Sequence, residues 1–255
     1  MFQVMVYIPL CNMKYEKRTY RDLIDRGSRF FYRVTVKETD LYVHTNPRME
    51  DMTRELVLQY RGYIENYISQ FPEFAITLTP WHIKGLVPNI IREMAEAGTK
   101  AGVGPMAAVA GAVAESVGLD LLKHSREVIV ENGGDIFLKT DTPVTLAVYA
   151  GKSPLSLKVG LRVNAAEKSK GVCTSSGTVG HSLSMGKADA VCVVSDSCAL
   201  ADAAATAIGN HVKSKNDISN AVAFGKNIEG VAGILLIIGD KMGMWGDMEL
   251  VPVRI

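Results

Sequence analysis

Cysteine is scarce in this chain. Cys11, Cys173, Cys192 and Cys198 are the only 4 in 255 residues. None forms a CxxC pair, and their spacing suits no zinc site. So few thiols in so long a chain point to reduced cysteines acting as small core hydrophobes, in a cytoplasmic protein. An excess of charge of one sign is also missing. The formal net charge is +1, which supplies no field to recruit nucleic acid or an anionic membrane. No run of about 18 apolar residues occurs, so no membrane span is expected. Low-complexity stretches and long linkers are absent, and so is the GxxxxGK[ST] phosphate loop.

Residues 1–12 are apolar but lack a basic leading region and a small-residue cleavage site. More ordinary sequence begins at Met13, followed by Lys14, Tyr15 and Glu16. Met13 is therefore expected to be the natural start, with residues 1–12 an extension. N-terminal sequencing of protein from the native source decides this, and a start at Met1 rejects it.

What is present is ordinary core material. Hydrophobic residues make up 47% and charged residues 22%, enough for a core without disulfide or metal staples. The length fits one large domain or two packed halves of similar logic meeting near residue 124. No sequence repeat marks such halves.

Alternation over Phe30–Val36 and again over Leu41–His44 predicts paired strands. Met52, Leu56, Tyr60, Tyr63, Ile64 and Tyr67 recur at helical spacing, and Pro72 ends that helix. A second helix is expected over 87–97, a glycine-rich break over Gly98–Gly104, and a third helix over 105–118 with Pro105 in its first turn and Gly118 as its stop. That third helix is nearly all small residues, so it belongs in the interior, closely approached by other backbone. Val128–Glu131 and Ile136–Lys139 flank Asn132-Gly133-Gly134-Asp135, a strong hairpin signal. Further strands are expected near 144–149, 157–163, 189–195, 231–238 and 249–254, and helices over 198–210 and 216–225. Strands in adjacent pairs with helices in pairs between them predict an α+β fold. Its sheets should be largely antiparallel, with helices on one face.

Several constellations could carry chemistry. Cys173-Thr174-Ser175-Ser176-Gly177-Thr178-Val179-Gly180-His181-Ser182 reads as a hydroxyl-rich loop whose glycines let backbone N–H groups turn toward an anion. It is either a phosphate site or a solvated turn. His181 beside it could meet a phosphate oxygen, act as acid or base, or cap a turn. Asp202 and Thr206 lie four residues apart on one helix face, among alanines. An Asp in such surroundings is costly without a cation or donors. A carboxylate with a hydroxyl suits Mg²⁺ when waters and a phosphate complete the shell; the alternative is an Asp bonded to a backbone turn. Asp135 is a hairpin residue that reaches a ligand only if the hairpin abuts the 175–181 segment. Glu38-Thr39-Asp40 reads as a turn, and His44, His82, His124 and His211 as structural or exposed. Gly102-Val103-Gly104-Pro105-Met106-Ala107 spells GxGxxA, but no strand precedes it, so a dinucleotide fold is rejected.

Three of these stretches in order, Asn-Gly-Gly-Asp at 132–135, Thr-Ser-Ser-Gly at 174–177 and Ala-Asp-Ala-Ala-Ala-Thr-Ala at 201–207, resemble the ApbE-type FAD:protein FMN transferases. The small-residue helix within Gly98–Gly118 is similar as well. Arg18-Thr19-Tyr20-Arg21, Glu38-Thr39-Asp40-Leu41 and Thr174–His181 together resemble an uncharacterised ApbE-related family over nearly the whole chain. The resemblance implies an α+β architecture of the tunnelling-fold type, often a homo-oligomer. It implies FAD or another phosphorylated cofactor as a small-molecule ligand, and Mg²⁺. Asp202 and Thr206 become metal ligands. Gly133, Gly134, Thr174, Ser175, Ser176, Gly177 and Thr178 become cofactor-binding candidates, and His181 and Asp135 catalytic candidates. The H-I-I-D-P-x-T-G segment of ApbE proteins has no counterpart here, since His181 is followed by Ser182-Leu183-Ser184-Met185-Gly186. The implied reaction is therefore open among FMN transfer to an acceptor protein, pyrophosphate cleavage, and cofactor binding without chemistry. A purely structural oligomeric module is the remaining alternative.

Overall fold

The computed structural model describes residues 30–177, 186–246 and 248–253. The fold is α+β, built on a large sheet of eight strands. Two strands, β1 (Phe31–Val36) and β2 (Thr39–Thr45), open it and pair as a hairpin. Three helices follow, α1 (Glu50–Gln70), the short α2 (Glu73–Ile76) and α3 (Asn89–Ala101), then a 3₁₀ turn over Pro105–Ala108 that leads into α4 (Val109–Leu121). The hairpin β3 (Val128–Asn132) and β4 (Asp135–Lys139) returns to the sheet. After β5 (Val144–Ala147) and β6 (Val159–Val163) come β7 (Lys170–Ser175), β8 (Ala190–Ser195), α5 (Cys198–Asn210) and α6 (Ile218–Lys226). The chain closes with β9 (Val231–Ile238), β10 (Lys241–Gly246) and β11 (Glu249–Pro252).

The large sheet runs β1-β2-β3-β4-β7-β8-β9-β10, and the small one β11-β6-β5. Every pairing is antiparallel. Strand pair, helices, strand pair therefore occurs twice, and the two runs meet where β4 pairs β7. Residue 124 lies within the first run, in the turn between α4 and β3.

The helices cover one face of the large sheet and the small sheet covers the other. Side chains alternate across a strand, and β8 shows the result. Val191 and Val193 join the helix-side core, whereas Ala190, Cys192 and Val194 join the small-sheet core. Burial on both faces explains why β8 and β9 read as continuous apolar runs rather than alternating ones. Among the described residues, no single helix is long and apolar enough to cross a membrane.

Four local expectations need correction. The helix expected over 87–97 continues through Gly98 to Ala101, and the break falls at Gly102, whose φ of 74° glycine adopts without strain. Gly118 does not stop α4; it lies flat against the Phe137 ring, where a Cβ would sit 2.1 Å from Cδ1. Cys173, Thr174 and Ser175 are not loop residues but the end of β7, held as strand by pairing with β8, whereas β4 pairs the start of β7 over Lys170–Val172. Finally, Lys241–Gly246 forms an unexpected edge strand, returned by the turn at Gly239 with φ 60°.

Candidate functional site

The site grows from two helices that cap each other. The first amides of a helix have no partner within it. At the start of α5, Ser197 accepts the Leu200 amide at 3.3 Å. Glu115 of α4 accepts the Cys198 amide at 2.9 Å, the Ala199 amide at 3.1 Å and the Ser197 hydroxyl at 3.2 Å. At the start of α4 the relationship reverses: Asp202 Oδ2 accepts the Gly111 amide at 2.9 Å, and the Ala110 amide also bonds this carboxylate. Negative charge at each helix N-terminus is favourable by its dipole. The helices touch closely because Gly111 has no side chain; a Cβ there would lie 2.4 Å from the Cys198 carbonyl oxygen. Asp196 faces outward, paired with Lys168 and Lys170.

The second carboxyl comes from the sheet. Asn132 and Asp135 face each other across the two-residue turn Gly133-Gly134, with φ of 72° and 108°. Both glycines serve that turn, and the Gly134 amide donates to Glu131 Oε1 at 2.9 Å. The hairpin does abut β7, since a Cβ on Gly134 would lie 3.7 Å from the Thr174 carbonyl oxygen. Asp135 is buried. Its carboxyl accepts from the Cys173 thiol and the Thr174 backbone, with the Asp202 carboxyl as charged neighbour.

Burial first, and the Asp202 charge second, push the Asp135 carboxyl well above the usual carboxylate range. Burial likewise pushes Asp202 up, to about 7, against the pull of the Gly111 and Ala110 amides. Asp202 keeps some exposed surface, although its carboxyl is surrounded by protein atoms. Among the described residues, none of the leading influences on either group is a cation. Two neighbouring carboxyls in a low-dielectric interior oppose each other's ionisation.

The other predicted residues distribute unequally. Gly171, Cys173 and Ser175 face the helices; a Cβ on Gly171 would lie 2.3 Å from the Cys198 Cα, and Cys173 Sγ lies 3.4 Å from Cys198 Sγ. Ser175 is 7% exposed, and its Oγ has no hydrogen-bond partner among the described residues. Thr174 turns to the opposite face, where its hydroxyl meets Cys192 Sγ at 3.2 Å, so that hydroxyl does not join the carboxyls. Gly177 donates its amide to the Ala188 carbonyl at 2.9 Å, and a Cβ on it would lie 2.1 Å from the Gly186 carbonyl oxygen. Ser176 is partly buried at the end of β7. Thr206, one turn beyond Asp202, is partly exposed on the same face of α5. Thr178 and His181 lie outside the described residues. Of Glu38-Thr39-Asp40, expected as a turn, only Glu38 lies in the turn, with Lys37, while Thr39 and Asp40 open β2; Glu38 and Thr39 hold Arg61, and Asp40 takes Arg33 bidentately.

Sequence reasoning missed Cys173 as a donor to Asp135, Glu115 as a cap, and Asn132, whose Nδ2 donates to the Ala110 carbonyl at 3.0 Å. The one advance signal was the small-residue run around Gly111, which does mark close backbone approach.

A family model described as "AbpE bacteria" matches residues 21–244. The chain belongs to this family. It is 38% identical over 220 residues to a UPF0280 protein of Methanococcus aeolicus, covering 84% of this chain and 89% of that one. It is 41% identical over 230 residues to a UPF0280 protein of Methanocaldococcus jannaschii, covering 87% and 93%. Among solved structures, the AbpE-family chain is similar to the apo flavinyl transferase ApbE of Pseudomonas stutzeri, with TM-score 0.53, 13% identity and coverage of 85% and 93%. It is also similar to a histidine-to-glycine variant of the flavin transferase ApbE from Vibrio cholerae, with TM-score 0.55, 12% identity and coverage of 86% and 97%. Identities this low establish a shared fold.

Proposed function

We propose that the protein binds a flavin nucleotide, or another phosphorylated cofactor, together with Mg²⁺ through Asp135, Ser175 and Asp202, and acts on the ligand's phosphates. The observation that carries this reading is the buried pair Asp135 and Asp202 with no cation from the described residues among the leading influences on either carboxyl. A divalent ion would offset both charges.

The donors suit Mg²⁺. Two carboxylates and the Thr206 hydroxyl are hard oxygen ligands, and Mg²⁺ keeps waters and takes phosphate oxygens for the remainder of its shell. Among the described residues, His, Cys, Asp and Glu side chains form no group of three or more that could hold a metal ion, so the Thr206 hydroxyl and waters would complete the shell of an ion on the two carboxylates. When bound, the ion would offset charge developing on the phosphates. The Ser175 Oγ, without a partner among the described residues, would meet a ligand oxygen, since a buried hydroxyl without a partner is costly.

With FAD, the pyrophosphate bridge would break, AMP would leave, and FMN would pass to water or to the hydroxyl of an acceptor. The shared fold with flavin transferases and the matching residues at 132–135, 174–177 and 201–207 support this choice of ligand. Incubation with FAD and Mg²⁺, followed by chromatography for AMP and FMN, tests it. Release of AMP that Asp202→Ala abolishes is expected. FAD binding without AMP release would make the protein a cofactor carrier. Neither binding nor turnover would sink the proposal.

A further inference from the structure

The two carboxyls sit on different elements, β4 and α5, and 67 positions separate them in the sequence (202 minus 135). Something must fix their separation, because an ion shared between them has a preferred size. The start of α4 lies between. On the hairpin side, Asn132 Nδ2 donates to the Ala110 carbonyl at 3.0 Å. On the helix side, the next residue's amide, Gly111 N–H, donates to Asp202 Oδ2 at 2.9 Å. Asn132 is itself paired with Asp135 across the turn. The path from Asp135 to Asp202 thus runs through Asn132, Ala110 and Gly111.

Each step of that path is stiff. Asn132 is buried, with 8% exposure, so its amide has little freedom to exchange for water. The turn between Asn132 and Asp135 has two residues, both glycines at positive φ, a geometry that fixes register in a hairpin. At Gly111 a Cβ would lie 2.9 Å from Asp202 Cβ and 2.4 Å from the Cys198 carbonyl oxygen. The α4–α5 contact therefore has no slack that a longer hydrogen bond could take up.

We infer that the Asn132 carboxamide is a positioning residue for the carboxyl pair, with the first turn of α4 as the spacer it holds in place. This inference rests on the metal-and-phosphate site proposed above. Asn132 touches neither ion nor ligand; it sets where Asp135 stands relative to Asp202. Groups that orient metal ligands from outside the ligand set affect affinity by about 10- to 100-fold. They also affect choice of ion, because Mg²⁺ demands near-ideal octahedral geometry at shorter bond lengths while Ca²⁺ tolerates variable geometry at longer ones.

The experiment measures Mg²⁺ and Ca²⁺ dissociation constants by titration calorimetry on the full-length chain, for wild type, Asn132→Ala and Asn132→Ser, with melting temperatures alongside. Asn132→Ser keeps a hydroxyl donor and leaves a smaller void, so it serves if Asn132→Ala does not fold. The expected result is a loss of about tenfold or more in Mg²⁺ affinity with a smaller loss for Ca²⁺, so that the preference for Mg²⁺ narrows. A variant that folds, melts lower and keeps the wild-type preference ratio would assign Asn132 to packing alone and overturn the inference. Wild type binding neither ion would remove the metal site itself and the inference with it. That result is distinct, since it appears before any variant is made.

Discussion

Asp202 Oδ2 accepts the Gly111 amide at 2.9 Å, so the carboxylate offered as a metal ligand also caps the helix packed against its own. One turn further along α4, Glu115 caps the start of α5. The exchange locks the two helices in register and holds Asp202 with at least one oxygen already committed. A carboxylate has about four lone-pair directions, so an amide bond leaves acceptor capacity for an ion.

Gly111→Ala tests how tightly that contact is made. Its Cβ would meet the Cys198 carbonyl oxygen at 2.4 Å, and backbone cannot swing aside as a flexible side chain does. Overpacking of this kind costs about 1–3 kcal/mol. Urea unfolding should show that loss in midpoint with an unchanged slope, and an unchanged midpoint would mean that α4 and α5 slide apart easily.

Ser175→Ala separates a structural hydroxyl from one kept for a ligand. The Oγ has no partner among the described residues, so its removal sacrifices no hydrogen bond. Stability should be unchanged or higher by up to about 1 kcal/mol, while affinity for FAD with Mg²⁺ falls about tenfold. A clear drop in the unfolding midpoint would show that the hydroxyl is bonded within the protein.

Much of this fold was legible in the sequence because its elements carry strong local signals. The 3.6-residue period marks α1, and Asn-Gly marks the β3–β4 hairpin. Asp202 and Thr206 stood out as oxygen atoms in a run of alanines. What escaped was non-local. Lys170, Gly171 and Ser175 have little strand character of their own, and β7 is a strand because β4 pairs its start and β8 its length from Gly171 to Ser175. Without that strand, nothing reveals that Ser175 faces the helices and Thr174 faces away. The nearness of Asp135 to Asp202, and Glu115 as the cap of α5, depend on how α4 packs rather than on spacing along the chain.

A pH dependence follows from Glu93 on α3. Burial, then the charges of Glu115 and Glu96, raise its carboxyl from 4.5 to about 7. Between those two values the folded protein holds more protons than the unfolded chain, so stability falls as pH rises through the window and levels off above it. Glu93→Gln removes this term. It should leave stability at pH 4 nearly unchanged and raise it at pH 8 by on the order of 1 kcal/mol, a figure reduced for solvent screening of a partly exposed group. Equal effects at the two pH values would place the cause in packing.

Asp202→Asn gives opposite results with and without Mg²⁺. The substitution keeps an oxygen to accept the Gly111 amide but removes one of two charges that burial and mutual repulsion disfavour. Without metal, the variant should therefore unfold at higher denaturant than wild type at pH 8, by on the order of 1 kcal/mol. With Mg²⁺ at about 100 times its dissociation constant, wild type gains about 2.7 kcal/mol from binding to the folded state alone. The variant, with a neutral amide in place of a carboxylate, should gain little. Melting curves over a Mg²⁺ series compare the two directly: their order should reverse as the ion is added. Parallel curves at every concentration would mean that the ion binds elsewhere, and that Asp202 serves only to cap α4.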